Sequence, residues 1–386
     1  MKYISVRLAA FFTAAAVFLC AFAPCAGLAE APVAIGAERA LLVDASTGSE
    51  IYGVKADEQT DVAGLVRLPA LLRVCRAFDE GAIFDNSVVT VSRRAAGIRG
   101  ATAFIAPDER ISADRLLKAA VMLNAGDALC ALIETLYPSP AAAAEAVSGE
   151  LARLGISKDV GDALCAGVTF SPNELATVCR ELAKSPSFLK YTSIYTDVLT
   201  HEAAADTELT NPNRLVRHYS GCYGLATGSV GSLNYCGAFI ARRGGTALLA
   251  IVAGCSTSDA RFSAGRELLD YGFSAFRTVQ LRHAGEAIAV LPVTGGILES
   301  VSVIAGEDVS VLTPVSEASA DVAVLLPEAV EAPVAEGQVL GELVITGSSG
   351  EELGRAPLAA AHGVDKARYG DYFGMLIEGW LGRGAG

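Results

Sequence analysis

The stretch Tyr235-Cys-Gly-Ala-Phe-Ile-Ala-Arg-Arg-Gly-Gly-Thr-Ala-Leu-Leu-Ala-Ile-Val-Ala-Gly254 holds two apolar runs, Tyr235–Ala241 and Thr246–Gly254, on either side of Arg242-Arg-Gly-Gly245. Such runs read as strands and the glycine pair between them as a hairpin turn. A hairpin makes its strands antiparallel neighbours, because parallel strands need a long crossover. Upstream, Arg39–Asp44, the turn Ala45-Ser-Thr-Gly48 and Glu50–Gly53 read as a second strand pair. Helical patterns fill the interval: Leu68–Phe78 ended by Glu80-Gly81, Asp114–Leu136 with apolar residues at helical spacing, then Ala141–Leu154, Pro172–Lys184 and Ser263–Phe273. The sequence therefore predicts an α+β domain, residues 38–276, with an antiparallel sheet packed against helices.

After Phe276 the texture changes. Val279–Leu281, Ala287–Val290, Gly296–Ile304, Val309–Leu312, Asp321–Leu326 and Leu343–Thr346 are short β-type runs between Gly, Pro, Asp and Glu, which predict a small β-sandwich over residues 277–364. In residues 365–386, Tyr369, Tyr372, Phe373, Leu376, Ile377, Trp380 and Leu381 recur at helical spacing and make one apolar stripe. Such a helix lies in a membrane interface or docks on the protein's own surface, and the stripe alone leaves both open. Gly370, Gly374, Gly379 and Gly382 weaken it at about 1 kcal/mol each.

At the other end, Lys2 and Arg7 precede the apolar run Leu8–Phe22, followed by Pro24 and Ala26-Gly27-Leu28-Ala29. A charged start, a short apolar run and small residues before a cleavage point read as a secretory signal over residues 1–29. An uncleaved anchor is the other reading, though a span usually needs about 20 apolar residues. The 386 residues are 52% hydrophobic and 19% charged, which excludes a disordered chain. The formal charge is −13, and removal of Lys2 and Arg7 makes it two units more negative. That balance argues against a nucleic-acid partner, since phosphate contacts need clustered cations. Four scattered histidines and the absence of Cys-x-x-Cys argue against a metal site, and no cofactor is indicated. Seven widely spread cysteines follow position 29 and read as buried small hydrophobes rather than a disulfide framework.

Five fragments, in this order and spacing, resemble one family: Asn211-Pro-Asn-Arg-Leu215, Gly221-Cys-Tyr-Gly-Leu-Ala-Thr-Gly228, Asn234-Tyr-Cys236, Arg266-Glu-Leu-Leu-Asp-Tyr-Gly-Phe273 and Ala332-Pro-Val-Ala-Glu-Gly-Gln-Val-Leu-Gly-Glu-Leu343. The family is the low-molecular-weight penicillin-binding proteins, serine-type D-Ala-D-Ala carboxypeptidases of the cell wall with a β-lactamase-like fold. The resemblance runs from about Glu38 to the C-terminus and implies three catalytic motifs. The first, Ser-x-x-Lys, sets a nucleophile and its base three residues apart on one face. The matching segment is Asp61-Val-Ala-Gly64-Leu-Val-Arg67-Leu-Pro69, with Gly64 in the nucleophile position and Arg67 in that of the base. Gly64 has no side chain, and the Arg67 guanidinium cannot take up a proton. Pro69 would break a helix begun at Gly64, so the helix kinks or starts near Leu68.

For the second motif, Ser-x-Asn, the matching residues are Asn124-Ala-Gly126, which have lost the hydroxyl and the amide side chain. The third, Lys-Thr-Gly, reads Ala226-Thr227-Gly228: the cation is gone, while Thr227 and Gly228 remain as candidate substrate-binding residues. Arg261 fits a family arginine that pairs with a terminal carboxylate. Ser92, Ser229 and Ser232 lack a Lys or His at useful spacing and read as turn or surface serines. The resemblance thus implies an exported family member without catalytic activity. It would bind peptidoglycan stem peptides or a cell-wall synthesis protein at the outer face of the cytoplasmic membrane, with the C-terminal stripe on the membrane surface. The alternatives are an active carboxypeptidase with a non-standard nucleophile, and a scaffold whose β-domain carries the function.

Overall fold

A computed structural model describes residues 35–368, apart from 202–204, 232–233, 317–319, 348–349 and 351. The expected signal, the apolar stripe from Tyr369 and Ser232 lie outside the described residues.

The hairpin sits at the heart of the first domain. Its strands, Asn234–Arg243 and Thr246–Cys255, belong to a five-stranded antiparallel sheet in the order Glu50–Val54, Arg39–Asp44, Thr246–Cys255, Asn234–Arg243, Cys222–Val230. The central strand is buried on both faces, which is why it reads as an unbroken apolar run. Leu249, Ile251 and Ala253 face one core and Leu248, Ala250 and Val252 the other. Helix Ser258–Ala275, with Leu268 and Leu269, and the short helix Leu215–His218, with Leu215, cover the second face, and helices such as Leu68–Asp79, Ala113–Leu123 and Gly126–Leu136 cover the first. Close approach is built into Ser258–Ala275: a Cβ at Gly265 would lie 2.4 Å from the Phe239 ring.

The helical expectations hold with one correction of consequence. Asp114–Leu136 is two helices, Ala113–Leu123 and Gly126–Leu136, because Asn124 between them is left-handed at φ 52°. Asn tolerates that conformation better than most residues, and the periodicity of the flanking apolar positions hides the break. The predicted helix Ser263–Phe273 is also longer, Ser258–Ala275, since the Thr257 side chain caps it by accepting from the Ala260 amide at 3.0 Å.

At Phe276 the chain leaves the helix as a strand, Phe276–Arg282, that pairs with Val309–Pro314. This ribbon lays Val309 and Val311 over the core of a six-stranded sheet containing Val301, Val303, Leu343 and Leu358, which gives a small sandwich. The six-stranded sheet runs Asp321–Leu325, Val339–Thr346, Glu352–Ala360, Ser300–Ala305, Ala287–Thr294, Val330–Glu331. Two of these strands, Glu352–Ala360 and Val330–Glu331, are not among the runs read from the sequence; the first carries Gly354 and Pro357, residues with low strand propensity.

Asp44 ties the domains together. Fully buried at the end of its strand, it accepts from the amides of Ser46 at 2.8 Å and Thr47 at 2.7 Å, and from the Thr278 hydroxyl of the second domain at 2.5 Å. Replacing it with alanine strands these donors. Asp44→Ala is expected to lower the unfolding free energy by about 2–4 kcal/mol in urea titration.

All seven cysteines after position 29 are buried and free. Burial pushes the Cys222 and Cys236 thiols up to about 11. At pH 8 roughly one such thiol in a thousand is ionised, and access is blocked as well. The native protein should therefore show negligible reaction with a thiol reagent at pH 8, and all seven groups should react after denaturation.

Candidate active site

The segment Asp61–Arg67 reaches the edge of the five-stranded sheet as a tight turn. Asp61 Oδ1 accepts from the Ala63 amide at 2.8 Å, and Asn234 on the neighbouring strand donates to the Asp61 carbonyl at 2.8 Å. Ala63 is left-handed at φ 53°, a strained conformation for a residue with a Cβ. Residues Ala63–Arg67 then form a 3-10 turn, and the α-helix Leu68–Asp79 begins only after it. Pro69 lies in the first turn of that helix, where its missing N–H would have no helical acceptor anyway. A 3-10 turn eclipses residues three apart, so Gly64 and Arg67 still share a face.

Three sequence-distant segments meet at Gly64. A Cβ built there would have Asn124 Nδ2 at 3.4 Å, Gly228 Cα at 3.5 Å and the Thr227 carbonyl oxygen at 3.6 Å as nearest neighbours. Gly64, Asn124, Thr227 and Gly228, singled out from separate motifs, thus converge on one point. All three contacts are ordinary van der Waals distances, so no bulky group has moved into that place. The edge strand Cys222–Val230 presses against the turn from the other side: a Cβ on Gly228 would lie 2.4 Å from the Gly64 nitrogen. Asn124 donates through Nδ2 to the Gly64 carbonyl at 2.6 Å, and its buried Oδ1 has no partner.

Arg67 is spent on the backbone. Nη1 donates to the carbonyls of Asn124 at 3.0 Å and Ala101 at 3.3 Å, and Nη2 to that of Arg99 at 3.1 Å. Gly126 makes this possible, since a Cβ there would stand 2.7 Å from the guanidinium carbon. Burial pulls the Arg67 pKa down from its ordinary value, and the charge of buried Asp127 partly opposes the shift. Asp127 carries its own share of the framework by accepting from the amides of Ala103 at 2.9 Å and Ala128 at 2.8 Å. Nothing in the sequence marked Asp127: its partners are amides, and any residue supplies those.

Arg261 also reaches the site through backbone. It is 6% exposed, donates to the carbonyls of Gly228 at 2.9 Å and Cys236 at 3.3 Å, and stacks on Phe262 and Tyr235. Its nearest link to the cleft is the strand that carries Gly228. Ala226 is buried on the same strand. Ser92 caps the short helix Arg93–Ala96 and donates to Glu134 at 2.5 Å, while Ser229 is exposed. No lysine approaches Gly64 among the described residues of the first domain. Lys55, Lys118, Lys158, Lys184 and Lys190 form ion pairs with Glu58, Asp197, Glu174, Glu181 and Asp114 respectively. Nor do the described residues contain a His, Cys, Asp and Glu group arranged to hold a metal ion.

A mixed domain whose sheet edge, 3-10 turn and interhelical loop meet at one point, followed by a β-domain, defines a class of two-domain penicillin-binding-protein folds. Residues 26–257 match the D-alanyl-D-alanine carboxypeptidase family, and the chain belongs to it. Residues 276–366 match the C-terminal domain of penicillin-binding protein 5. The chain is 28% identical to the D-alanyl-D-alanine carboxypeptidase DacF of Bacillus subtilis, over 94% of this chain and 96% of that protein. It is 24% identical to DacD of Salmonella typhimurium, over 89% and 91%. Among solved structures, penicillin-binding protein 5 of Haemophilus influenzae shares the fold with a TM-score of 0.75 at 22% identity, over 87% of this chain and all of that one.

The geometry separates two glycines that the sequence treats alike. Gly64→Ala places its Cβ in open contact and restricts the unfolded chain, so it should leave stability within about 1 kcal/mol of the parent. Gly126→Ala drives Arg67 off its carbonyls, and should lower the unfolding free energy by about 1–3 kcal/mol in the same urea titration.

Proposed function

We propose that this protein is an exported, non-catalytic member of the D-alanyl-D-alanine carboxypeptidase family that binds peptidoglycan stem peptides or a cell-wall synthesis partner. The observation that carries the reading is the composition of the convergence point. A glycine stands where the attacking hydroxyl belongs, and the residue three positions on is an arginine tied to three carbonyls. Acyl transfer by this family's chemistry needs a hydroxyl and a neighbouring group able to take its proton. A guanidinium stays protonated and takes none.

Nucleophile and base act as a unit, and loss of either forfeits about four to six orders of magnitude in kcat. The convergence of Gly64 with the retained Thr227-Gly228 edge supports continued binding of a peptide carboxylate there. Arg261 serves that edge by holding the Gly228 carbonyl. The charged start, apolar run and small residues of positions 1–29 support export, and the Tyr369–Leu381 stripe supports attachment to the outer face of the membrane. Among the described residues no helix is long and apolar enough to cross a membrane.

Purified protein should show no covalent labelling by a fluorescent penicillin and release no D-alanine from a pentapeptide muropeptide by mass spectrometry. Gly64→Ser alone should remain unlabelled, because Arg67 still offers no base. Labelling of the parent chain that β-lactam competitors abolish would overturn the proposal.

A further inference from the structure

The β-domain exposes two large apolar side chains at the tip that joins Ala287–Thr294 to Ser300–Ala305: Ile297 is 41% exposed and Leu298 45%. The end of the described chain runs beside this tip. Gly296 bridges to Lys366, the Ile297 amide donates to the Asp365 carbonyl at 2.9 Å, and the Ala367 amide donates to the Gly295 carbonyl at 2.8 Å. The contact is rigid. A Cβ on Gly296 would lie 2.8 Å from Val364 Cγ1 and 2.9 Å from Val293 Cγ1, and Val364 itself is 1% exposed.

Ala367 is two residues from Tyr369, the first member of the apolar stripe. Two residues span at most about 7 Å. The stripe therefore follows in sequence directly on the segment held against the tip.

We infer that Ile297 and Leu298 form a second membrane contact, inserting into the interfacial region of a lipid bilayer beside the C-terminal stripe. The inference rests on the proposed attachment of that stripe to a membrane. Burying an exposed apolar side chain in an interface is favourable, and a pair on a fixed turn adds to the anchor without further ordering of the chain.

Val324 and Leu325 lie on the edge strand Asp321–Leu325 and Val339 on the strand next to it, four and three strand spacings, roughly 19 and 14 Å, from the strand Ala287–Thr294 that leads into the tip, so they are not part of it. Val290 and Val315 are exposed singly. Glu299, Glu331 and Asp365 stand near the tip, alongside Lys366. With acids and a cation mixed there, the contact is apolar rather than a capture of anionic headgroups.

The test is flotation of the chain from residue 30 to 386 with phosphatidylcholine vesicles, with thermal melting as a control for folding. Three proteins are compared: the parent, the double variant Ile297→Ser with Leu298→Ser, and a chain cut after Arg368. The double variant is expected to bind about tenfold more weakly than the parent at an unchanged melting temperature. If the parent floats and the double variant floats equally, the tip makes no contact and the inference falls while the stripe remains the anchor. If the parent does not float, both the anchor and the tip contact are overturned. If the cut chain floats as well as the parent, the stripe is not the anchor, and the reading on which the inference rests is overturned.

Discussion

The site depends on one half-buried cation and the missing side chain opposite it. Arg67 reaches across the place that a Cβ on Gly126 would occupy and gathers the carbonyls of Arg99, Ala101 and Asn124. A guanidinium is suited to this because its donors lie in one plane and need no counter-charge at each acceptor. The three carbonyls belong to the loop after Arg93–Ala96 and to the break between Ala113–Leu123 and Gly126–Leu136. The Ala101 carbonyl also accepts from the Gly126 amide at 2.8 Å, which ties the loop to the start of Gly126–Leu136 a second time. Asp127, one residue along, adds the compensating negative charge and pins the same loop from its far side through the Ala103 amide. Arginine and glycine here are a single structural unit, and neither is explained alone.

Much of the architecture was legible because it rests on patterns that local chemistry writes into sequence. The Tyr235–Gly254 hairpin is apolar on both sides of a glycine turn, and Pro69 sets where the helix starts. What was hidden rests on backbone partners. Asn124 breaks a helix that the apolar spacing carries straight through, because a left-handed asparagine leaves the periodicity of its neighbours intact. Glu352–Ala360 becomes a strand through pairing on both sides, despite Gly354 and Pro357. Arg67, Asp127 and Arg261 act on carbonyls and amides, groups that every residue carries, so no motif announces those backbone roles, although the resemblance singled out Arg67 and Arg261 as positions. For Arg261 the family resemblance suggested a carboxylate partner, while the structure gives its Nη1 to Gly228 and Cys236.

The positions that differ from the family's motifs, and those that agree with them, divide along physical lines. Under the proposed reading, Gly64, Arg67, Asn124, Gly126 and Ala226 stand at the positions that the resemblance gives to side chains that move protons or hold charge. Gly228 stands where a backbone must touch a backbone: any side chain there would collide with the Gly64 nitrogen. Arg261 holds the carbonyl of that same glycine, and Asn234 anchors the turn from the adjoining strand through the Asp61 carbonyl. The requirements of packing at the sheet edge are therefore separable from those of catalysis. A chain can abandon the second set and keep a site of the same shape, provided the first set stays.

The same packing requirements bear on the strain held at the turn before Gly64. Ala63 remains left-handed, although such a conformation costs about 1–2 kcal/mol for a residue with a Cβ. Strain of this kind survives when the surroundings over-determine it. Here the Ala63 amide is held by Asp61, the Asp61 carbonyl by Asn234 and the Gly64 carbonyl by Asn124. Three hydrogen bonds from three segments fix the turn, and none needs a reactive side chain. The shape of this turn is thus a property of the scaffold around it.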